Sequence, residues 1–269
     1  MHRFFVRLTP IHLHDTEHVP FCPKIDIQMD LSSLTVANID LNGTKRVCYF
    51  RQDTSDQKVL DQIFKGGAYD ISLIPRYAEI EGAFQAHLEA GQTPLIIDAG
   101  ANIGASALFF ALIFPGSLVY AIEPERSNFE LLVENTKGLN VVCIQAALSE
   151  KPGRARVVDN GNGFWGFQTE ASSDLEDAIP CVTVEEILER KEHENCWPFL
   201  AKIDIEGAEA SLFEGHPAWL RKIPVLIVEL HDWLFPAAGT SKSFIRCMSE
   251  EDRDFIPLGE NVLAINHVL

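Results

Sequence analysis

The run IIDAGANIG, Ile96 to Gly104, joins an apolar strand to a helix through a turn with glycines at 100 and 104. LIID (Leu95–Asp98) reads as a buried strand. Ile103–Phe114 reads as a helix that is apolar almost all round, hence buried, and Pro115–Gly116 stops it. Open α/β sheets bind their ligands where such a strand meets its helix. The dinucleotide fingerprint is G-x-G-x-x-G, whose middle glycine lets a pyrophosphate approach. Asn102 stands in that glycine's place, so NAD and FAD fit poorly. Asp98, at the strand end, repels a phosphate and suits an amine-bearing ligand. Glu123, in AIEPE, follows the next strand 25 residues after Asp98 and is placed to accept hydrogen bonds from ribose hydroxyls. A nucleoside with an amino-acid tail and no phosphate satisfies all three features, which points to S-adenosylmethionine.

Working outward, the strand–helix rhythm continues. Leu118–Ile122 is a strand, Ser127–Lys137 a helix opened by a capping box of Ser127 with Glu130, and Val141–Ile144 a third strand. An irregular glycine-rich stretch follows, and Thr183 with Glu186 caps the next helix. Phe199–Ile205 and Pro224–Leu230 are the fourth and fifth strands. A helix over Phe244–Met248 precedes an antiparallel hairpin, Phe255–Ile265, turning at Gly259–Asn261. Five strands alternating with helices predict a doubly wound α/β sheet. Upstream, Ile25–Leu31, Leu34–Leu41 and Lys45–Phe50 read as strands, with a hairpin turn at Asn42–Gly43. Helices are expected over Asp56–Phe64 and Ile80–Ala90. The chain thus divides into a β-rich extension (1–52), a helical segment packed on the core (53–93) and a cofactor-binding domain (94–269).

Composition narrows the function. The 269 residues carry 22 basic and 39 acidic side chains, a net charge of −17. No Lys/Arg run is present, which disfavours nucleic acid and anionic membranes as partners. The longest apolar run, Ala107–Phe114, has eight residues, far short of the roughly 20 that span a bilayer. No signal peptide is readable at the N-terminus. The six cysteines are scattered without a CxxC pair, as in a reduced, cytoplasmic protein.

IIDAGANIG, AIEPE, AKIDIEGAE (Ala201–Glu209) and IVELH (Ile227–His231) together resemble the FkbM family of S-adenosylmethionine-dependent methyltransferases. DTSDQKVLDQIFKGGAYD (Asp53–Asp70) resembles a segment that precedes the core in members near polysaccharide biosynthesis, so the likeness runs from about Asp53 to the C-terminus. It implies the seven-stranded, mostly parallel class I methyltransferase sheet, which accounts for the final hairpin, and methyl transfer to a hydroxyl of a glycan or related small-molecule acceptor. It also implies that Asp98, Gly100, Asn102 and Gly104 line the methionine half of the cofactor, that Glu123 holds the ribose, and that Gln145 and Ala146 face the adenine. Arg76 can clamp the cofactor carboxylate; an exposed arginine is the plainer account.

Asp204 and Glu206 close strand four, and Glu229 and His231 close strand five, on the edge where such sheets bind ligands. Strand alternation would place each pair on one face. Acids inside runs such as AKIDIEG and LIVEL are costly to bury without a role. Glu206 and His231 are the preferred bases for an acceptor hydroxyl, with Glu229 orienting; the same group can hold a divalent cation, a weaker reading than base catalysis. Asn160–Gln168, with Phe164, Trp165 and Phe167 among glycines, suits either a lid over a sugar or a loop tucked on the core. The competing functions are a non-catalytic cofactor-binding partner, a small-molecule N-methyltransferase and an NAD-dependent oxidoreductase.

Overall fold

The computed structural model describes residues 30–159, 167–171 and 178–269. A short 3-10 turn, Leu31–Ser33, leads into β1 (Thr35–Leu41) and β2 (Thr44–Phe50), an antiparallel hairpin across Asn42–Gly43. Of the strand expected over Ile25–Leu31, most lies outside the described residues and Leu31 belongs to the 3-10 turn. α1 (Asp56–Leu60) runs on as a wider π turn to Lys65 and stops at Gly66; α2 (Tyr77–Glu89) follows.

The core then builds as β3 (Thr93–Ala99), α3 (Ala105–Ile113), β4 (Leu118–Ile122), α4 (Arg126–Asn135) and β5 (Val141–Ile144). The capping box expected at Ser127 is not formed. Glu125 caps α4 instead, its carboxylate accepting from Asn128 N–H at 2.7 Å, because the chain leaves β4 extended through Glu125 and turns helical at Arg126. Where an irregular stretch was expected, β6 (Ala147–Leu148), β7 (Gly153–Asp159), β8 (Phe167–Ala171) and β9 (Ile179–Val182) form a four-stranded sheet in the order β6-β9-β7-β8. β7, GRARVVD, mixes two arginines with a few small apolar residues and carries no long apolar run to announce it. Phe164 and Trp165 lie outside the described residues, while Phe167 and Gln168 open β8.

α5 (Val184–Leu188) has the expected Thr183–Glu186 capping box. β10 (Cys196–Ile203), α6 (Glu209–Leu212), β11 (Val225–Glu229), α7 (Lys242–Met248), β12 (Arg253–Leu258) and β13 (Asn261–Asn266) complete the chain. The main sheet has the order β12-β13-β11-β10-β3-β4-β5, with β11, β10, β3, β4 and β5 parallel and β13 and β12 antiparallel. This is the seven-stranded class I methyltransferase arrangement. Strand order reverses beside β3, since the chain first moves outward to β4 and β5 and later returns to β10 and β11. That reversal opens a crevice at the carboxyl ends of β3 and β10.

Alternation along β3 serves two cores. Ile96 packs with Leu108, Phe109 and Phe110 of α3, whereas Leu95, Ile97 and Ala99 face the side holding Trp219, Leu220 and Phe213. α3 is apolar on every side because the β1–β2 hairpin, through Cys48 and Phe50, belongs to the same core. Each fully buried Leu or Phe there contributes about 1.5–3 kcal/mol. Arg76 neither faces the crevice nor stands free. It pairs with Glu79 and with Asp254 at 2.9 Å and donates to the Asn266 carbonyl, tying α2 to the β12–β13 hairpin.

Candidate active site

Gly100 and Asn102 both take left-handed backbone, with φ of 73° and 50°. At Gly100 a Cβ would stand 1.8 Å from the Asp204 carbonyl oxygen, so the turn is pressed directly on the end of β10. Asn102, a residue type that tolerates this conformation, has its side-chain oxygen 2.6 Å from Ile103 N–H and donates its own N–H to Glu123 at 2.8 Å. Gly104 (φ 87°) caps α3 and leaves room for Leu132, which a Cβ would meet at 2.9 Å.

Asp98 is fully buried behind this turn and is not part of the cavity wall. Ser106 donates to it at 2.7 Å, and the cation it faces is the chain's own Lys202, whose Nζ lies 3.4 Å away. Lys202 is buried too, donates to the carbonyls of Ala99 and Gly100, and stands 3.4 Å from Asp204. Burial pushes the Asp98 carboxyl up, and the Lys202 charge opposes that. Lys202 is the functional residue that the sequence reading passed over; a lysine inside the apolar strand AKIDI was its signal. Replacing one member of such a pair strands the other charge, so Lys202→Met should lower unfolding stability by about 3–5 kcal/mol in a urea titration.

Glu123 is buried at the end of β4. It accepts from the N–H groups of Asn102 and Glu125 at 2.8 and 2.9 Å and from the Asn128 amide at 3.4 Å. Asn128 in turn accepts from Arg51, which also holds Asp56. Burial raises the Glu123 carboxyl to about 7, with its backbone hydrogen bonds pulling the other way. The sequence places Glu123 at a strand end as a ribose acceptor and gives no sign of a structural role. In the structure Glu123 ties two turns together, so removing it leaves two N–H groups without their acceptor.

The crevice is a cavity of about 270 Å³. Gly100, Ala101, Asn102, Glu123, Lys202, Asp204, Glu206 and Glu229 line it, and β3 and β10 separate β4, which Glu123 follows, from β11, which Glu229 ends. Ser55, Lys58 and Gln62 of the α1 region and Tyr69 close a side, so the N-terminal helical segment is part of the site. Gln145 and Ala146, expected against the adenine, do not line the cavity; Ala147 and Leu148, one step further along, do.

The acids beyond β10 and β11 do converge, although not by strand alternation. β10 ends at Ile203, and Glu206 sits in a tight loop at φ 54°. His231 Nε2 is 3.5 Å from Asp204 Oδ1, 3.5 Å from Glu206 Oε2 and 3.7 Å from Glu229 Oε1. The carboxylate orienting His231 is Glu209, not Glu229. Its Oε1 is 2.9 Å from Nδ1, both side chains are 1% exposed, and the Ile205 N–H steadies the same oxygen. His231 therefore lies behind the carboxylates and is not in the cavity wall. Burial alone would depress its imidazole, but the Glu209 hydrogen bond and the charges of Glu209, Asp204 and Glu206 raise it to about 9. Burial and then the Asp204 charge push Glu206 up to about 8 and Glu229 to about 7, each offset in part by His231. At the mouth stands Trp233, 56% exposed, with its ring 6.3 Å from that of His231.

The sequence profile described as the methyltransferase FkbM domain matches residues 98–256. Hexuronic acid methyltransferase AglP of Haloferax volcanii is 28% identical over 179 residues, which cover 62% of this chain and 71% of that one. Among solved structures, monomeric WbdD aligns with a TM-score of 0.41 at 11% identity over 73% of this chain, which spans 42% of WbdD. A methyltransferase from Geobacter sulfurreducens aligns with a TM-score of 0.35 at 16% identity, covering 80% of this chain and 90% of that one.

Proposed function

The chain belongs to the FkbM methyltransferase family, and we propose that it moves a methyl group from S-adenosylmethionine to a hydroxyl oxygen of a sugar-containing acceptor. The observation that carries this reading is one cavity lined both by Glu123 beyond β4 and by three carboxylates beyond β10 and β11. The residues present fit the cofactor. Asn102 stands where a dinucleotide site has a glycine, Glu123, which already accepts three hydrogen bonds, keeps a lone pair for a ribose hydroxyl, and Ala147 and Leu148 offer an apolar wall to the adenine.

S-adenosylmethionine supplies an electrophilic methyl on a sulfonium, with a neutral thioether as leaving group. The acceptor oxygen forms the new C–O bond as the S–C bond breaks, and its proton must leave. Glu229, in the cavity wall at the end of β11, takes that proton in our reading, and Asp204 and Glu206 accept hydrogen bonds from neighbouring hydroxyls. Trp233 at the mouth offers a face on which a sugar ring stacks. His231, buried behind the acids, does not touch the acceptor. A panel of hexoses, hexuronates and amines incubated with the full chain and cofactor tests this: mass spectrometry should find one added methyl on a sugar oxygen, and a product formed from amines alone would contradict it.

Glu123 makes cofactor binding pH-dependent. Its carboxyl is raised to about 7, and it must be ionised to accept from the ribose while keeping its own three hydrogen bonds. Protonation therefore competes with the cofactor below neutrality. The dissociation constant, read by calorimetry, should rise roughly tenfold between pH 8 and pH 6, and Glu123→Gln should flatten that dependence.

A further inference from the structure

We propose that Asp204, Glu206 and His231 form a site for one first-row divalent metal ion. Each offers one ligand atom, and the three atoms lie within 4.8 Å of one another. The 3.5 Å separations from His231 Nε2 to the Asp204 and Glu206 oxygens match two edges of a tetrahedron built on ~2.1 Å bonds, whose edge is ~3.4 Å; the third edge, between the two carboxylate oxygens, closes to that length as they turn onto the ion.

Two further features point to a ligand rather than to a mere gathering of acids. Glu206 Oε2 is buried without a hydrogen-bond partner, on a side chain only 10% exposed, and it faces His231 Nε2. A carboxylate oxygen left so is costly unless a cation meets it, either the protonated His231 ring or, once that proton is displaced, an ion held between the two. His231 is also held as metal-bound histidines are. Its Nδ1 is engaged by the buried Glu209, which fixes the ring with Nε2 toward Asp204 and Glu206. Asp204 divides its two oxygens, Oδ2 toward Lys202 at 3.4 Å and Oδ1 toward His231, so the ammonium and an ion do not compete for one atom. One imidazole with two carboxylates favours Mn²⁺, Fe²⁺ or Zn²⁺ over the all-oxygen preference of Ca²⁺ and Mg²⁺. Asp204 and Glu206 also line the cavity, which places the ion beside Glu229 where the acceptor hydroxyl is proposed to lie.

The test is a titration of the full chain with Mn²⁺, followed by electron paramagnetic resonance without cofactor or acceptor. One Mn²⁺ per chain should bind, and pulsed spectra of the wild-type protein should show the ¹⁴N coupling of a directly bound imidazole. Asp204→Asn and Glu206→Gln should each weaken binding by more than tenfold, and Glu209→Gln by roughly 10–100-fold. No binding at about 1 mM Mn²⁺, the weak end of useful protein affinities, would overturn the site. So would binding without nitrogen coupling, or binding indifferent to Glu206→Gln. The ¹⁴N signal needs no variant, so misfolding of one does not blunt the result. Ion binding is read apart from turnover: its failure leaves methyl transfer standing, and failure of methyl transfer leaves the ion site standing.

Discussion

Glu229→Gln should lower the methyl-transfer rate by roughly 10²–10⁴, the range for a positioned general base, while cofactor affinity barely moves. The amide keeps the shape of the carboxyl and can still meet a hydroxyl, but it cannot take the proton. β10 and β3 lie between the strands at whose ends Glu229 and Glu123 stand, so the loss should fall on kcat and leave the dissociation constant for S-adenosylhomocysteine alone. Single-turnover kinetics with a sugar acceptor read this directly. Undiminished turnover in a folded Glu229→Gln chain would move the proton to water and leave catalysis to proximity and orientation.

The largest effect on the fold should come from Gly100→Ala. The backbone there has φ of 73°, and the added Cβ would press to 1.8 Å from the Asp204 carbonyl oxygen. That neighbour is backbone and cannot swing aside. The turn and the end of β10 would have to separate, breaking the Lys202 hydrogen bonds to Ala99 and Gly100 as they did so. Strain and lost contacts together place the cost at about 4 kcal/mol or more, the range kept for special backbone positions and broken buried networks. Thermal unfolding should show it as a large drop in Tm, and cofactor binding should vanish with the turn. Gly138→Ala is the matching control. Its φ of 76° is similarly left-handed, but nothing lies within 4 Å of the added Cβ, so it should carry only the backbone strain.

Much of the fold was legible in the sequence, and particular residues show why. β3 and α3 announce themselves by unbroken apolar runs, and the Gly100–Gly104 turn by its spacing. Asn42–Gly43 marks its hairpin by backbone chemistry alone. β6 to β9 are short strands whose polar and apolar residues alternate irregularly and whose partners lie in distant segments, so no local period reveals them. The site divides in the same way. The convergence of Asp204, Glu206, Glu229 and His231 follows from parallel strands ending on one edge. The depth of each side chain does not follow from that, because it depends on loop geometry. Glu206 turns on a left-handed residue, and α6 brings Glu209 up behind His231. Asp98 was placed in the cofactor site because its partner, Lys202, lies 104 residues away in sequence and only 3.4 Å away in space.

The most direct measurement is calorimetry of the full chain with S-adenosylhomocysteine and, separately, with NAD. One molecule of S-adenosylhomocysteine should bind per chain, and Glu123→Gln should weaken it by roughly 1.5–3 kcal/mol, the value of a hydrogen bond to a charged group. NAD should give no heat, because Asn102 stands where a dinucleotide site has a glycine. NAD binding, or S-adenosylhomocysteine affinity unchanged in a folded Glu123→Gln chain, would contradict the account.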